Sequence, residues 1–179
     1  IAPASGAGSL RAGVRAHSRE LTVFTNPLPN SYQRFGCDEA PRYVSWSRQN
    51  RSQLVRIPMV KGDNCRMELR SPDPACNPYL AIGLVLAAGL DGIEHRMVLQ
   101  PPVNKNLFRP GEAEGLGLEM LPATLEEAVA IAEESDFLHK VLPEELSRRY
   151  FAEERARCEA LRAAADPAEY ERIHYFNAI

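Results

Sequence analysis

The run Met67-Glu68-Leu69-Arg70 limits the fold more than any other short stretch, because its apolar and charged residues strictly alternate. Successive side chains of a β-strand point to opposite faces of the sheet. Glu68 therefore shares one face with Arg66 and Arg70. Met67 and Leu69 lie on the other face. The pattern predicts a strand with one side turned to a hydrophobic core and one side crowded with charge, and we expect function on the charged side.

Two further segments before this run have strand character. Residues 42–48 alternate in polarity, and residues 52–59 form a second strand-like run. The sequence Lys61-Gly62-Asp63-Asn64 supplies turn chemistry between 52–59 and the strand at 65–71, which favours an antiparallel hairpin. We therefore predict an antiparallel meander within a sheet-rich region over 22–75, in a chain of the α+β class.

The dipeptide Asn77-Pro78 is typical of a helix start, because Asn caps free amides and Pro fits the first helical position. The residues that follow are apolar on nearly every side, which predicts a buried helix over 77–93. Asp91-Gly92 resembles a helix C-terminus.

The last third of the chain, 124–179, is predicted to be a helical tail. Thr124 and Glu127 form a capping-box pattern at its start, and Asp166-Pro167 interrupts the helical pattern near its end. Two prolines near residue 28 predict an irregular loop over 25–31. Apart from 77–93, helices are expected over 9–20, from 124, over 143–165 and over 169–176.

Composition excludes several functions for this chain of 179 residues. The net charge of −3 argues against a nucleic-acid partner, and the longest apolar run, over 79–90, is too short to cross a membrane. The four cysteines show no metal-ligand spacing, which favours reduced thiols and a cytoplasmic location. Residues 34–70 nevertheless hold seven Arg and one Lys against four acids, and this positive island favours an anionic ligand.

The combination of Glu68 with Arg56 and Arg70 has two interpretations. It can be a solvated strand face whose ion pairs contribute little. It can also be a site in which the carboxylate binds a hard divalent cation and the guanidinium groups bind phosphate or carboxylate. No glycine-rich phosphate loop is present, so a nucleotide would be held by side chains.

Taken alone, Glu39 is typical of a surface acid and Lys61 is typical of a turn residue. The four histidines show no ligand spacing and are expected to be structural or exposed: His17, His95, His139 and His174.

Several longer motifs occur in one order: FTNPLPNSYQRF, EAP, NRSQLVRIP, MELRSPDPACNPYLA, LVLAAGLDGI and PVNKNLF. Over roughly residues 20–110 they resemble the C-terminal part of the glutamine synthetase family, of the bacterial type I kind. The resemblance implies the glutamine synthetase/guanido kinase-like catalytic domain, with a curved antiparallel sheet backed by helices. Residues 1–179 would then be the C-terminal part of one catalytic domain, without the family's N-terminal domain, and would act within a homo-oligomer.

The same resemblance implies a reaction. The family makes glutamine from L-glutamate, ammonia and ATP with Mg²⁺ or Mn²⁺, through a γ-glutamyl phosphate. By motif, Arg34 and Arg70 would bind the carboxylates of glutamate. Glu39 matches a mobile flap acid that shields the intermediate and helps deprotonate ammonium. The loop between Arg34 and Glu39 is one residue shorter than the family pattern.

The remaining motif residues concern the nucleotide. Arg51 would stabilise the transferring phosphoryl group, and Arg56 would bind the ATP phosphates. Glu68 would ligate the metal ion that bridges those phosphates. The segment between Arg56 and Glu68 is also one residue short, which leaves Lys61 as the candidate for the nucleotide-binding lysine.

Phe108 stands in the KNLF motif where some bacterial members carry a tyrosine that is adenylylated, so we expect that control to be absent. Residues 1–179 alone are expected not to synthesise glutamine, because most metal ligands of the family lie upstream of the matched motifs. Two alternatives stay open. The chain could serve a γ-glutamyl ligase for a larger amine, or it could be a non-catalytic remnant with an assembly or binding role.

Overall fold

Short strands and many helices make up the computed structural model, which describes residues 6–37, 39–60 and 62–176. The strands are β1 (Trp46–Arg48), β2 (Val55–Ile57) and β3 (Glu68–Leu69), and two 3₁₀ helices span Pro29–Arg34 and Gly62–Asn64. The α-helices are α1 (Gly6–Ala16), α2 (Thr22–Thr25), α3 (Pro78–Glu94), α4 (Leu125–Glu133), α5 (Asp136–Val141), α6 (Glu144–Ala163) and α7 (Pro167–His174). The predicted α+β class is confirmed.

The three strands form one mixed sheet in the order β1-β2-β3. The pairing of β2 with β3 is antiparallel, as predicted, and it sets Arg56 opposite Glu68. The pairing of β1 with β2 is parallel, so the predicted antiparallel meander is wrong for the first strand. Alternation identifies a strand but carries no information on its direction. All three strands are also shorter than predicted.

The connection between β1 and β2 turns sharply and is anchored to a distant segment. Gln49 adopts a left-handed backbone with φ of 69° and turns the chain back immediately after the strand. The side-chain amide of the fully buried Gln53 then donates to the carbonyl of Lys105 at 2.9 Å. This hydrogen bond ties the connection between β1 and β2 to the distant segment at Lys105.

The prediction that the third strand has one face towards the core and one charged face is confirmed. Met67 and Leu69 pack against the hydrophobic core as partly buried residues. Trp46 of β1 lies in the core, where its indole nitrogen donates to the carbonyl of Gln100 at 2.6 Å. Fully buried core side chains come from the N-terminal helices, the sheet and the helical tail: Val14, Leu21, Phe24, Leu54, Val55, Leu125 and Leu138.

Helix α3 starts where predicted but extends past its expected stop. The side chain of Asn77 accepts hydrogen bonds from the backbone nitrogens of Tyr79 (3.0 Å) and Leu80 (3.4 Å). Gly92 does not end the helix but lies inside it. Glycine is needed there because a side chain would collide with the backbone of α1. A Cβ added at Gly13 of α1 would collide with the carbonyl oxygen of Ala88.

The prediction that α3 is buried is wrong for one of its faces. Leu84 and Ala88 are 4% and 0% exposed, whereas Ile82, Leu86 and Leu90 are 61%, 59% and 63% exposed. An all-round apolar sequence predicts burial of every face, but only the face against α1 and the core is covered within the described residues.

The helical tail follows the sequence prediction closely. Thr124 accepts from the backbone nitrogen of Glu127 at 3.1 Å, and the Glu127 carboxylate reaches back to the nitrogen of Ala123 at 2.8 Å. Asp166 caps α7, which starts two residues before the predicted position. The pattern missed the short α5, which Ser135 caps. Helix α1 starts earlier than predicted, and a 3₁₀ helix occupies part of the expected loop at 25–31 because Pro29 fits its first position.

Candidate active site

Glu68 lies at the centre of a group of charged side chains on the exposed face of the β2–β3 pair. Its Oε2 accepts a hydrogen bond from Nη1 of Arg56 at 2.8 Å. Its Oε1 lies 3.1 Å from Nη2 of Arg66, and Oε2 lies 3.9 Å from Nη1 of Arg70. Arg56 is held in turn by the carbonyl of Gln49 at 2.9 Å. The register of β2 and β3 therefore decides which arginine meets the glutamate.

Glu39 joins the same group from the loop that precedes β1. Its Oε1 lies 3.4 Å from Nη1 of Arg51, and its Oε2 lies 3.3 Å from Nη2 of Arg70. Nη2 of Arg70 also donates to the carbonyl of Glu39 at 3.1 Å, and Nε donates to the carbonyl of Arg51 at 2.9 Å. Glu39 has a left-handed backbone, with φ of 68°, which a residue with a Cβ rarely adopts. Arg70 thus connects the two glutamates through one guanidinium group.

We call Glu39, Arg51, Arg56, Glu68 and Arg70 the arginine–glutamate cluster. Hydrogen bonds from Arg70 and Arg51 hold the pKa of Glu39 below its ordinary value, and the hydrogen bond from Arg56 does the same for Glu68. Both carboxylates are therefore ionised at neutral pH. Three arginines in the cluster outnumber its two glutamates, and this surplus charge suits an anion with several oxygens, such as phosphate or carboxylate.

Arg34 is held apart from the cluster by other partners. Its Nη2 donates to Oδ1 of Asn26 at 2.9 Å and to the carbonyl of Ser71 at 3.2 Å. Its Nε lies 3.1 Å from Oδ2 of Asp73, an ion-pair contact whose angle falls short of a hydrogen bond. Ser71 directly follows Arg70 in the chain, so Arg34 is linked to the cluster through the backbone.

The structure thus brings together five of the seven side chains selected from the sequence. Arg34 contacts no side chain of the cluster in the described part of the chain, and Lys61 lies outside the described residues. Pattern reasoning missed Asn26 and Asp73 as partners of Arg34. The motifs TNP and SPDP contain both residues, but a single sequence carries no signal that joins positions so far apart.

Among the described residues, no three His, Cys, Asp or Glu side chains come close enough to hold a metal ion. Glu68 supplies one carboxylate, and its oxygens are engaged by arginines. These residues can supply one ligand to a divalent ion but do not by themselves complete its site. The four cysteines are free thiols, and no helix in the described ranges is both long and apolar enough to cross a membrane.

The geometry defines an α+β protein with a cationic cluster on a mixed sheet. Residues 4–173 match the family model of the glutamine synthetase catalytic domain. The chain belongs to that family. It is 44% identical to glutamine synthetase of Methanosarcina mazei over 163 residues, which is 89% of this chain and 36% of the relative.

Other relatives agree with this assignment. The chain is 41% identical to glutamine synthetase of Methanocaldococcus jannaschii, with 86% of this chain and 34% of the relative covered. It is 38% identical to glutamine synthetase of Staphylococcus aureus, with 92% and 37% covered. The chain therefore spans about a third of the length of these relatives.

Solved structures with the same fold include a GmaS/ADP complex and GmaS without ligand. Each superposes with a TM-score of 0.79 at 31% identity. The match covers 94% and 96% of this chain, and 39% and 38% of the respective GmaS chains. The resemblance inferred from the sequence motifs is confirmed at the level of the family and of the fold.

Proposed function

We propose that this chain supplies part of the active site of an ATP-dependent ligase that joins L-glutamate to ammonia. The observation that carries the proposal is the arginine–glutamate cluster, because five residues chosen from family motifs meet in one connected network with surplus positive charge. In the reaction, the γ-phosphoryl group of ATP passes to the side-chain carboxylate of glutamate, which forms γ-glutamyl phosphate and ADP. Ammonia then displaces phosphate to give glutamine.

In this proposal Arg34 and Arg70 bind the carboxylates of glutamate. The Arg70 guanidinium is held by two backbone carbonyls and by Glu39, so its orientation is set before the substrate arrives. Glu39 occupies an exposed loop and carries a negative charge, because its pKa is lowered by Arg70 and Arg51. Such an acid can shield an acyl phosphate from water and accept a proton from ammonium.

Arg51 and Arg56 serve the phosphates of ATP. Phosphoryl transfer depends on positioning and on positive charge around the transferred group. The side chain of Arg51 is 62% exposed and pairs with the likewise exposed Glu39, whereas that of Arg56 is 18% exposed and pairs with Glu68, which is 25% exposed. Arg51 suits the moving phosphoryl group and Arg56 the retained phosphates. Lys61, which lies outside the described residues, is proposed as a further phosphate ligand.

Glu68 would contribute one oxygen to a bound Mg²⁺ or Mn²⁺ ion, which neutralises phosphate charge when present. Among the described residues Glu68 is not part of a group of three His, Cys, Asp or Glu, so the other ligands would come from ATP phosphates and from groups outside these residues. Assembly into a homo-oligomer is part of the proposal by family membership.

Ligand binding to the purified chain tests the proposal by calorimetry. Arg56→Ala should weaken ATP binding about tenfold, and Arg70→Ala should weaken L-glutamate binding about tenfold, as expected for loss of one charge-assisted contact. Arg148→Ala is the control, because Arg148 also pairs with a glutamate but lies on the surface of α6. Absence of ATP binding, or equal losses in all three variants, would contradict the proposal. Turnover with ammonia and with a larger primary amine distinguishes the two ligase activities when it is measured in an assembly that also supplies the remaining metal ligands.

A further inference from the structure

The Arg34 guanidinium is held by two hydrogen-bond acceptors and one carboxylate, which come from two separate segments. Nη2 donates to the side-chain oxygen of Asn26 at 2.9 Å and to the carbonyl of Ser71 at 3.2 Å. Nε lies 3.1 Å from the carboxylate of Asp73. A planar guanidinium held by two hydrogen bonds at Nη2 and by an ion pair at Nε cannot rotate about its last bonds without losing these contacts.

The acceptors are themselves fixed. Asn26 is fully buried, and its amide nitrogen donates to Oγ1 of Thr25 at 3.0 Å, which directs its oxygen towards Arg34. The second oxygen of Asp73 accepts from the backbone nitrogen of Ala75 at 2.8 Å. The backbone nitrogen of Asp73 donates to the carbonyl of Thr25 at 2.8 Å and so joins the two segments.

The Nη1 group of Arg34 is open to a ligand. Nη1 donates no hydrogen bond to any group in the ranges that the structure describes, and the side chain is 33% exposed. Both N–H groups of Nη2 are engaged by Asn26 and Ser71, so Arg34 presents Nη1 to a ligand. The two N–H groups of Nη1 are donors that a substrate carboxylate can accept from.

We propose that Asn26 and Asp73 are positioning residues that orient Arg34 for a substrate carboxylate. The proposal rests on the function proposed above, in which Arg34 binds glutamate. Asp73 attracts the Nε side of the guanidinium through its negative charge. Asn26 limits the rotation of the guanidinium by accepting a hydrogen bond from Nη2 through its side-chain oxygen. Neither side chain touches the substrate. The pair acts on glutamate affinity and leaves the ATP-binding side of the arginine–glutamate cluster unchanged.

Calorimetric titration of the chain with L-glutamate and, separately, with ATP tests the proposal. Asp73→Asn should raise the Kd for glutamate roughly tenfold and leave the Kd for ATP unchanged. Asn26→Ser should act in the same direction. The exchange variant, Asn26→Asp with Asp73→Asn, returns a negative charge to the same guanidinium and should recover most of the lost affinity. Asp136→Asn, an exposed aspartate at the start of α5, is the matched control.

A merely structural role would lower the stability of Asp73→Asn without separating the two ligands and without recovery in the exchange variant. Rotation of the Arg34 guanidinium gives a readout that needs no ligand. In protein labelled with ¹⁵N-arginine, its NMR signals should show hindered rotation that Asp73→Asn abolishes and Asp136→Asn preserves. Normal glutamate affinity in Asp73→Asn would overturn the positioning role alone. Failure of the unaltered chain to bind glutamate and ATP would overturn both proposals.

Discussion

Arg56 donates to the carboxylate of Glu68 at 2.8 Å from directly across the β2–β3 ladder. The two residues are side by side because directly opposed residues of paired strands project from the same face of the sheet. A shift of one residue in the register would turn Glu68 towards the core and Leu69 outward. The burial of Met67 and Leu69 on the core side therefore fixes the position of the charged pair.

Replacement of Glu68 tests its proposed role at the metal ion. In Glu68→Gln we expect ATP binding with Mg²⁺ to weaken about tenfold, because one anionic oxygen ligand is lost. Binding of ATP in the presence of EDTA should not weaken, because the surplus positive charge of the cluster increases. Calorimetry with and without Mg²⁺ measures both. Glu119→Gln, an exposed residue outside the cluster, should change neither, and equal losses with Mg²⁺ and with EDTA would count against metal ligation.

His17 predicts a dependence of stability on pH. Burial acts to lower the pKa of His17, but hydrogen bonds to Glu20 and Asp91 outweigh it and raise the pKa above 6.5. The ring lies 2.8 Å from Asp91 and stacks on Phe137. Since the folded-state pKa is the higher one, the stabilisation is fully present below about pH 6.5 and is lost as pH rises through the folded-state value.

Urea unfolding at pH 6 and pH 8 measures this effect. The difference in the free energy of unfolding between the unaltered chain and His17→Gln should be larger at pH 6. His139→Gln is the control, because His139 is exposed and its Nε2 donates to the backbone carbonyl of Glu133 rather than to a carboxylate. A difference for His17→Gln that stays constant between the two pH values would show that its ion pairs do not contribute.

The two faces of α3 should differ sharply in their response to truncation. Leu84→Ala should lower the free energy of unfolding by about 2–4 kcal/mol, because Leu84 is buried in the core. Leu86→Ala should change it by less than about 0.5 kcal/mol, because Leu86 is 59% exposed. Urea unfolding of the two variants measures the difference. Similar losses would mean that the face of Leu86 is covered in solution.

The close contact between α1 and α3 predicts opposite effects of two glycine substitutions. Gly13→Ala should destabilise by about 1–3 kcal/mol, because the new methyl group would meet the backbone of α3. Gly83→Ala should stabilise by up to about 1 kcal/mol, because a Cβ there meets nothing within 4 Å and alanine favours helix. Thermal unfolding separates them, with about 2–4 °C expected per kcal/mol. A rise in Tm for Gly13→Ala would contradict the contact.

The motifs allowed more of the site to be predicted than local patterns did. Alternation alone identified the charged face at Glu68 but left its meaning open between solvated ion pairs and a ligand site. The family motifs selected Glu39 and Arg51, which lie in irregular segments without any periodic signal. Their roles in substrate binding stay predictions, whereas their meeting at Arg70 is a feature of the structure.

The sequence by itself determined the local elements: the strand at Glu68–Leu69, the cap at Asn77 and the helical tail that opens at Thr124. These depend on residues within a few positions of one another. Only the tertiary structure decided that β1 pairs in parallel and that one face of α3 is exposed. It also decided that Asn26 accepts a hydrogen bond from Arg34 and that Asp73 forms an ion pair with it. Each of these depends on contacts between distant segments, and such contacts form only when the whole core packs.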